Sequence, residues 1–176
     1  MKREDNIILI GFMGSGKTSV GKLLASTINY EFRDTDDMIE AKENLAISKI
    51  FDDNGEKYFR DLETDLLLSL KDKMTKTVLS TGGGMPIKDI NVKILGYMGQ
   101  VIYLRASQRS IIKRVSGDTT RPLLKGDNLK ESVDRLLSQR TSSYEHAADI
   151  IIDTDDLIIE DIVDEILKAL DHKIFD

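Results

Sequence analysis

The chain contains no cysteine, which excludes disulfides and thiolate metal centres and fits a reducing compartment. It has two histidines in 176 residues. His146 follows Glu145 at the end of an expected helix, and His172 lies near the C-terminus. Neither suggests a metal site. Positive charge is not in excess: 25 Lys and Arg stand against 31 Asp and Glu, a formal net charge of −6. Nucleic acid and anionic membranes both demand a basic face, so neither is expected as a main partner. No apolar run approaches bilayer-spanning length, and Met1–Asp5 leads into the first expected strand without a signal-peptide core. The expected location is the cytoplasm. No linker, repeat or low-complexity tract interrupts the sequence, and 40% apolar residues suit one α/β domain over residues 1–176.

What is present is more specific. Residues 7–18 read Ile-Ile-Leu-Ile-Gly-Phe-Met-Gly-Ser-Gly-Lys-Thr, an apolar strand running into the pattern G-x-x-x-x-G-K-[ST]. Gly11, Gly14 and Gly16 let backbone N–H groups turn inward around a phosphate where a Cβ would clash. Lys17 places a point charge on the β- and γ-phosphates, and the Thr18 hydroxyl is a hard oxygen ligand for Mg²⁺. The helix expected to start near Lys17, with Val20, Leu23, Leu24 and Ile28 on its apolar face, adds the positive end of its dipole. Ser15 and Ser19 complete the loop. These residues point to a nucleoside triphosphate.

Strand-like runs at 6–10, 30–34, 77–81, 100–104 and 149–153 alternate with segments of helical spacing, such as Leu62, Leu66, Leu67 and Leu70. Such alternation predicts a parallel sheet with helices on both faces. Ligands of these sheets lie beyond the carboxyl ends of the strands, here residues 11–18, 34–36, 82–84 and 105 onward.

Three of these four places carry unusual residues, and two further arginines stand out. Asp34 and Asp36 could divide the work, one reaching Mg²⁺ through water and the other accepting from a substrate hydroxyl, or Asp36 could cap a helix. Gly82-Gly83-Gly84 either allows the main chain to approach a ligand or makes a plain tight turn. Arg121, between Gly117 and Gly126, suits a lid over phosphates or an ordinary surface loop. Arg140 falls on the apolar stripe of a helix over 128–146, with Leu129, Val133, Leu136, Leu137 and Tyr144. An inward cation needs an anion, either a buried structural partner or a ligand carboxylate or phosphate. Arg60 and Glu63 lie three apart in a segment that opens a long helix, the spacing of a solvated ion pair.

Taken in order, these motifs resemble the shikimate kinase family over essentially the whole chain. Gly-Phe-Met-Gly-Ser-Gly-Lys-Thr is similar to its ATP loop, and Phe-Arg-Asp-Thr-Asp to its acidic motif. Ile50-Phe51, Gly55-Glu56 and Phe59-Arg60-x-x-Glu63 resemble its substrate segment. Leu-Ser-Thr-Gly-Gly-Gly, Arg-Pro-Leu-Leu, and Arg140 with Tyr144 complete the set.

The resemblance implies a three-layer P-loop kinase fold with five parallel strands. It implies transfer of the γ-phosphoryl group of ATP to the 3-hydroxyl of shikimate, with one Mg²⁺ and a monomeric protein. Asp36, Arg60, Gly82, Gly83, Gly84 and Arg140 would hold shikimate, the two arginines on its carboxylate. Thr18 and Asp34 would serve Mg²⁺. Gly14, Ser15, Gly16, Lys17, Thr18 and Ser19 would bind ATP, with Arg114 stacked on adenine. Lys17, Asp36 and Arg121 would be catalytic. The substrate segment would run over about 36–63 and the lid over about 115–126; Val115–Thr120 is less basic than this segment in many members.

Two rivals remain at this level. A kinase of another hydroxy acid, such as gluconate, would share the loop and lid, but Phe59-Arg60-x-x-Glu63 and the glycine turn favour shikimate. A nucleotide switch or motor ATPase could use Ile150–Asp153 as a strand ending in a metal-site acid. The Asn-Lys-x-Asp signature of guanine binding is missing, and a switch needs no arginine-lined acceptor site.

Overall fold

The computed structural model describes residues 5–116 and 128–174, with side chains to 171. Five strands form a parallel sheet in the order β2-β3-β1-β4-β5: β1 Ile7–Ile10, β2 Glu31–Asp34, β3 Thr77–Ser80, β4 Gln100–Arg105 and β5 Ile150–Asp153. All four pairings are parallel. Among the described residues, seven α-helices connect and cover them: α1 Lys17–Thr27, α2 Thr35–Glu43, α3 Ile47–Leu70, α4 Asp89–Met98, α5 Gln108–Val115, α6 Leu129–Ala147 and α7 Ile159–Ile174. This is the expected α/β fold with helices on both sides.

Period-two alternation in β1 divides the core. Ile8 and Ile10 face the larger cluster, built with α3, α4, α5 and α6. Ile7 and Leu9 face the smaller one, built with α1 and α7. All four are buried because β1 lies at the centre of the sheet, which explains its unbroken apolar run. The chain passes from β3 to β4 across β1, so the connections leaving β1 and β3 open a crevice at their carboxyl ends.

The structure refines one segment. Helix α3 begins at Ile47, ahead of the Gly55–Glu63 stretch, and breaks at Gly55, whose φ of 80° and ψ of 171° are not helical. A helix restarts after this glycine and carries Arg60 and Glu63.

Candidate active site

The phosphate loop joins β1 to α1. Gly14 and Gly16 have φ of 77° and 97°, conformations that side chains with a Cβ rarely adopt. The Ser15 N–H donates to the Phe12 carbonyl at 3.1 Å, closing the loop. Lys17 Nζ donates to the carbonyls of Gly11 and Phe12, each at 2.9 Å, so the ammonium is held against the loop. Gly14, Gly16, Lys17, Thr18 and Ser19 line a cavity of about 190 Å³ with Ser80 and Thr81. Arg114, on α5, braces the same loop through weak contacts to the carbonyls of Gly14 and Ser15 at 3.4 Å. It donates more closely to the Thr154 carbonyl, at 3.0 Å.

At the end of β2 the two aspartates have separated roles. Asp34 accepts from the Asp36 N–H at 3.0 Å and is the N-cap of α2, so the capping considered for Asp36 falls to Asp34. The other Asp34 oxygen accepts from the Thr18 hydroxyl at 2.9 Å. These hard oxygen donors, side by side at the phosphate cavity, fit a divalent cation.

A second cleft of about 420 Å³ adjoins the first, sharing Met13, Thr18, Asp34, Asp36 and Gly83 with it. Its walls bring together Asp36, Arg60, Glu63, Gly82, Gly83, Gly84 and Arg140, beside Phe51 and Phe59. Arg60 packs over the Phe59 ring at 5.6 Å and Arg140 over Phe12 at 5.9 Å. Thr35, fully buried, accepts from the Gly82 N–H at 2.8 Å and fixes the glycine turn. The Tyr144 hydroxyl donates to the Gly83 carbonyl. A Cβ on Gly82 would come within 2.6 Å of Asp36 and 2.9 Å of Glu63, and one on Gly84 would collide with the Arg60 guanidinium.

Arg140 is only 4% exposed, and its Nη1 is buried with no hydrogen-bond partner. Arg60 and Glu63 do not form the solvated pair that their spacing suggested. Their side chains are 11% and 0% exposed, with Nη1 and Oε2 2.8 Å apart. Burial favours neutral Arg60, but Glu63 and Glu56 outweigh it and hold the guanidinium charged. Burial pushes Glu63 up to about 7; Arg60 and Arg140 oppose the rise and Asp36 adds to it. The spacing of Glu63 assigns it no chemical role, yet it lies on the stripe of Phe59, Leu62, Leu66, Leu67 and Leu70, all buried. The test that singled out Arg140 would have found it.

Arg121 lies outside the described residues. Asp153 is no metal-site acid: β5 is an edge strand separated from β1 by β4, and Asp153 is gripped by Arg105 at 2.6 and 2.7 Å. Among the described residues, no group of three or more His, Cys, Asp or Glu is placed to hold a metal ion. No helix among them is long and apolar enough to cross a membrane.

A phosphate loop opening into a second cleft, on a sheet of this order, defines a P-loop kinase of a small molecule. The family model described as "Shikimate kinase" matches residues 13–171. A shikimate kinase from Thermodesulfovibrio yellowstonii is 43% identical over 167 residues, covering 95% of each chain. The structure of shikimate kinase from Acinetobacter baumannii in complex with shikimate superposes with a TM-score of 0.93 at 35% identity, over 97% of this chain and 94% of that one. A gluconokinase from Sinorhizobium meliloti shares only the fold, with a TM-score of 0.61 and 16% identity over 97% of this chain and 94% of its own. The chain belongs to the shikimate kinase family. Its activity is that of an ATP-dependent phosphotransferase acting on a hydroxyl group.

Proposed function

We propose that the γ-phosphoryl group of ATP lies in the smaller cavity, and that the 3-hydroxyl of shikimate meets it at the shared wall of Asp34 and Asp36. The observation that carries this reading is the orphaned, buried Nη1 of Arg140 in a cleft that also holds Arg60. A buried donor without a partner is costly, and a ligand carboxylate would satisfy it while bridging both arginines. Gluconate also carries a carboxylate, but the shikimate complex at 35% identity supports the cyclic acid, whereas the gluconokinase at 16% supports only the fold.

Phosphoryl transfer asks for alignment and charge neutralisation. Asp36 orients the 3-hydroxyl and accepts its hydrogen bond. The backbone of Gly82, Gly83 and Gly84 shapes the acceptor site. Gly14, Ser15, Gly16, Thr18 and Ser19 cradle the phosphates, Lys17 neutralises the β- and γ-oxygens, and Arg114 flanks the adenine. One Mg²⁺ would be held by Thr18 and, through water, by Asp34, adding charge neutralisation at the phosphate oxygens. By the resemblance, Arg121 would be the lid arginine on the transferred phosphate, in a lid over about 115–126, and the substrate segment would cover about 36–63. The working unit, by the same resemblance, would be a monomer of a single domain over residues 1–176. The proposed location is the cytoplasm, where ATP is supplied.

A coupled assay of ADP formation tests the reading. ADP should appear only when shikimate is present, and gluconate should be a far poorer acceptor. Equal rates with both, or ADP formation without any acceptor, would reject it.

A further inference from the structure

We infer that the acceptor binds together with a proton, and that Glu63 is the residue that takes this proton up. The inference rests on the proposed carboxylate acceptor. Glu63 Oε2 is held by Arg60, while Oε1 is buried with no hydrogen-bond partner. A point at Gly82 lies 2.6 Å from Asp36 Oδ1 and 2.9 Å from Glu63 Oε1, so the two carboxylates converge there. Asp36 comes from α2, Arg140 from α6, and Arg60 with its second partner Glu56 from α3. Asp34, Asp37 and Glu40 are the other charged residues of the cleft wall.

Charge counting gives the direction. With Glu63 ionised, Arg60 and Arg140 face three carboxylates, Glu56, Glu63 and Asp36, and the acceptor carboxylate enters a site whose charge is already negative. With Glu63 protonated, the two arginines are balanced by Glu56 and Asp36, and the excess negative charge that opposes that carboxylate is gone. Binding also adds a negative charge beside Glu63, draws Arg60 donors towards the ligand and removes residual water. Each change favours the protonated acid. Free Glu63 already titrates at about 7 because it is buried, so binding moves this titration further into the alkaline range. Glu63 is therefore a positioning residue that sets the charge of the acceptor site.

Calorimetric titration of the full chain with shikimate, without nucleotide, provides the test. Binding enthalpies at pH 7.5 in buffers of different ionisation enthalpy should reveal uptake of a substantial fraction of one proton. The dissociation constant should rise by up to about tenfold per pH unit above neutrality. In Glu63→Gln, which keeps the shape and the neutral state, uptake should vanish and the affinity should become nearly independent of pH between 6 and 9. One ¹³C carboxyl resonance of the wild type should titrate near neutrality, and its midpoint should move to higher pH when shikimate is added, a readout that needs no variant. Shikimate binding without proton uptake, unchanged uptake in Glu63→Gln, or a resonance that stays in place would overturn the inference. No binding of shikimate at any pH would instead reject the acceptor reading.

Discussion

Asp34 and Asp36 stand two residues apart and face different tasks. Asp34 is tied to Thr18 and caps α2, whereas Asp36 lies between the two cavities. Asp36→Asn should cut turnover by about 10²- to 10⁴-fold while ATP affinity stays within a few-fold. Asp34→Asn should instead raise the Mg²⁺ concentration needed for half-maximal rate. Steady-state kinetics with varied Mg²⁺ separates them, and exchanged phenotypes would reverse the assignment. Arg60→Ala removes a charge-assisted contact and should weaken shikimate binding by about 1.5–3 kcal/mol. Its ATP affinity, measured by nucleotide titration, should be preserved; the opposite pattern would place Arg60 on the nucleotide. At this scale the sequence was legible wherever a residue type clashed with its surroundings. The glycines and Lys17 of the loop stood out, as did a cation on an apolar stripe. Glu63 was hidden because its i, i+3 partner Arg60 offered an ordinary explanation on the surface. Only tertiary packing turns that pair inward.

Among the elements, the glycine turn after β3 and the break in α3 carry the acceptor site. Gly84 is glycine because the Arg60 guanidinium fills the place of its Cβ. Gly84→Ala should displace Arg60 and raise the KM for shikimate tenfold or more, with the KM for ATP little changed. An unchanged KM for shikimate would mean that Arg60 can move away at no cost. Gly55 has no neighbour within 4 Å of an added Cβ, so Gly55→Ala would cost backbone strain alone, of order 1–3 kcal/mol. Urea denaturation should show this as a lower midpoint with an unchanged slope. The strands were legible within a residue or two: β1, β3, β4 and β5 each have an apolar centre, whereas β2, Glu-Phe-Arg-Asp, has only Phe32 and was placed by the short apolar segment Tyr30–Phe32 ahead of Asp34. The break was not. Residues 47–70 have continuous helical spacing on either side of Gly55, and a lone glycine in such a pattern marks a kink only when the flanking helices must pack in different directions.

At the scale of the whole molecule, a buried acid links function to stability. Glu63 binds its proton more tightly in the folded chain, with a pKa of about 7 against an ordinary 4.5. Its contribution to stability is fully present below about pH 4.5 and is lost as pH rises to 7, where the charge must be kept buried. The melting temperature of Glu63→Gln relative to the wild type should therefore rise across this interval and level off above it. A constant difference would show that Glu63 titrates normally. The sheet order and the adjoining cavities follow from topology, which alternation in the sequence implied only as a class. The acceptor chemistry came instead from the arginines, so the most direct test lies with the acceptor carboxylate. Shikimate methyl ester keeps all three hydroxyls and loses the charge. The kcat/KM for the ester should be about ten- to a hundredfold below that for shikimate, with the KM for ATP unchanged. Equal kcat/KM for the acid and its ester would contradict an acceptor site built around Arg60 and Arg140.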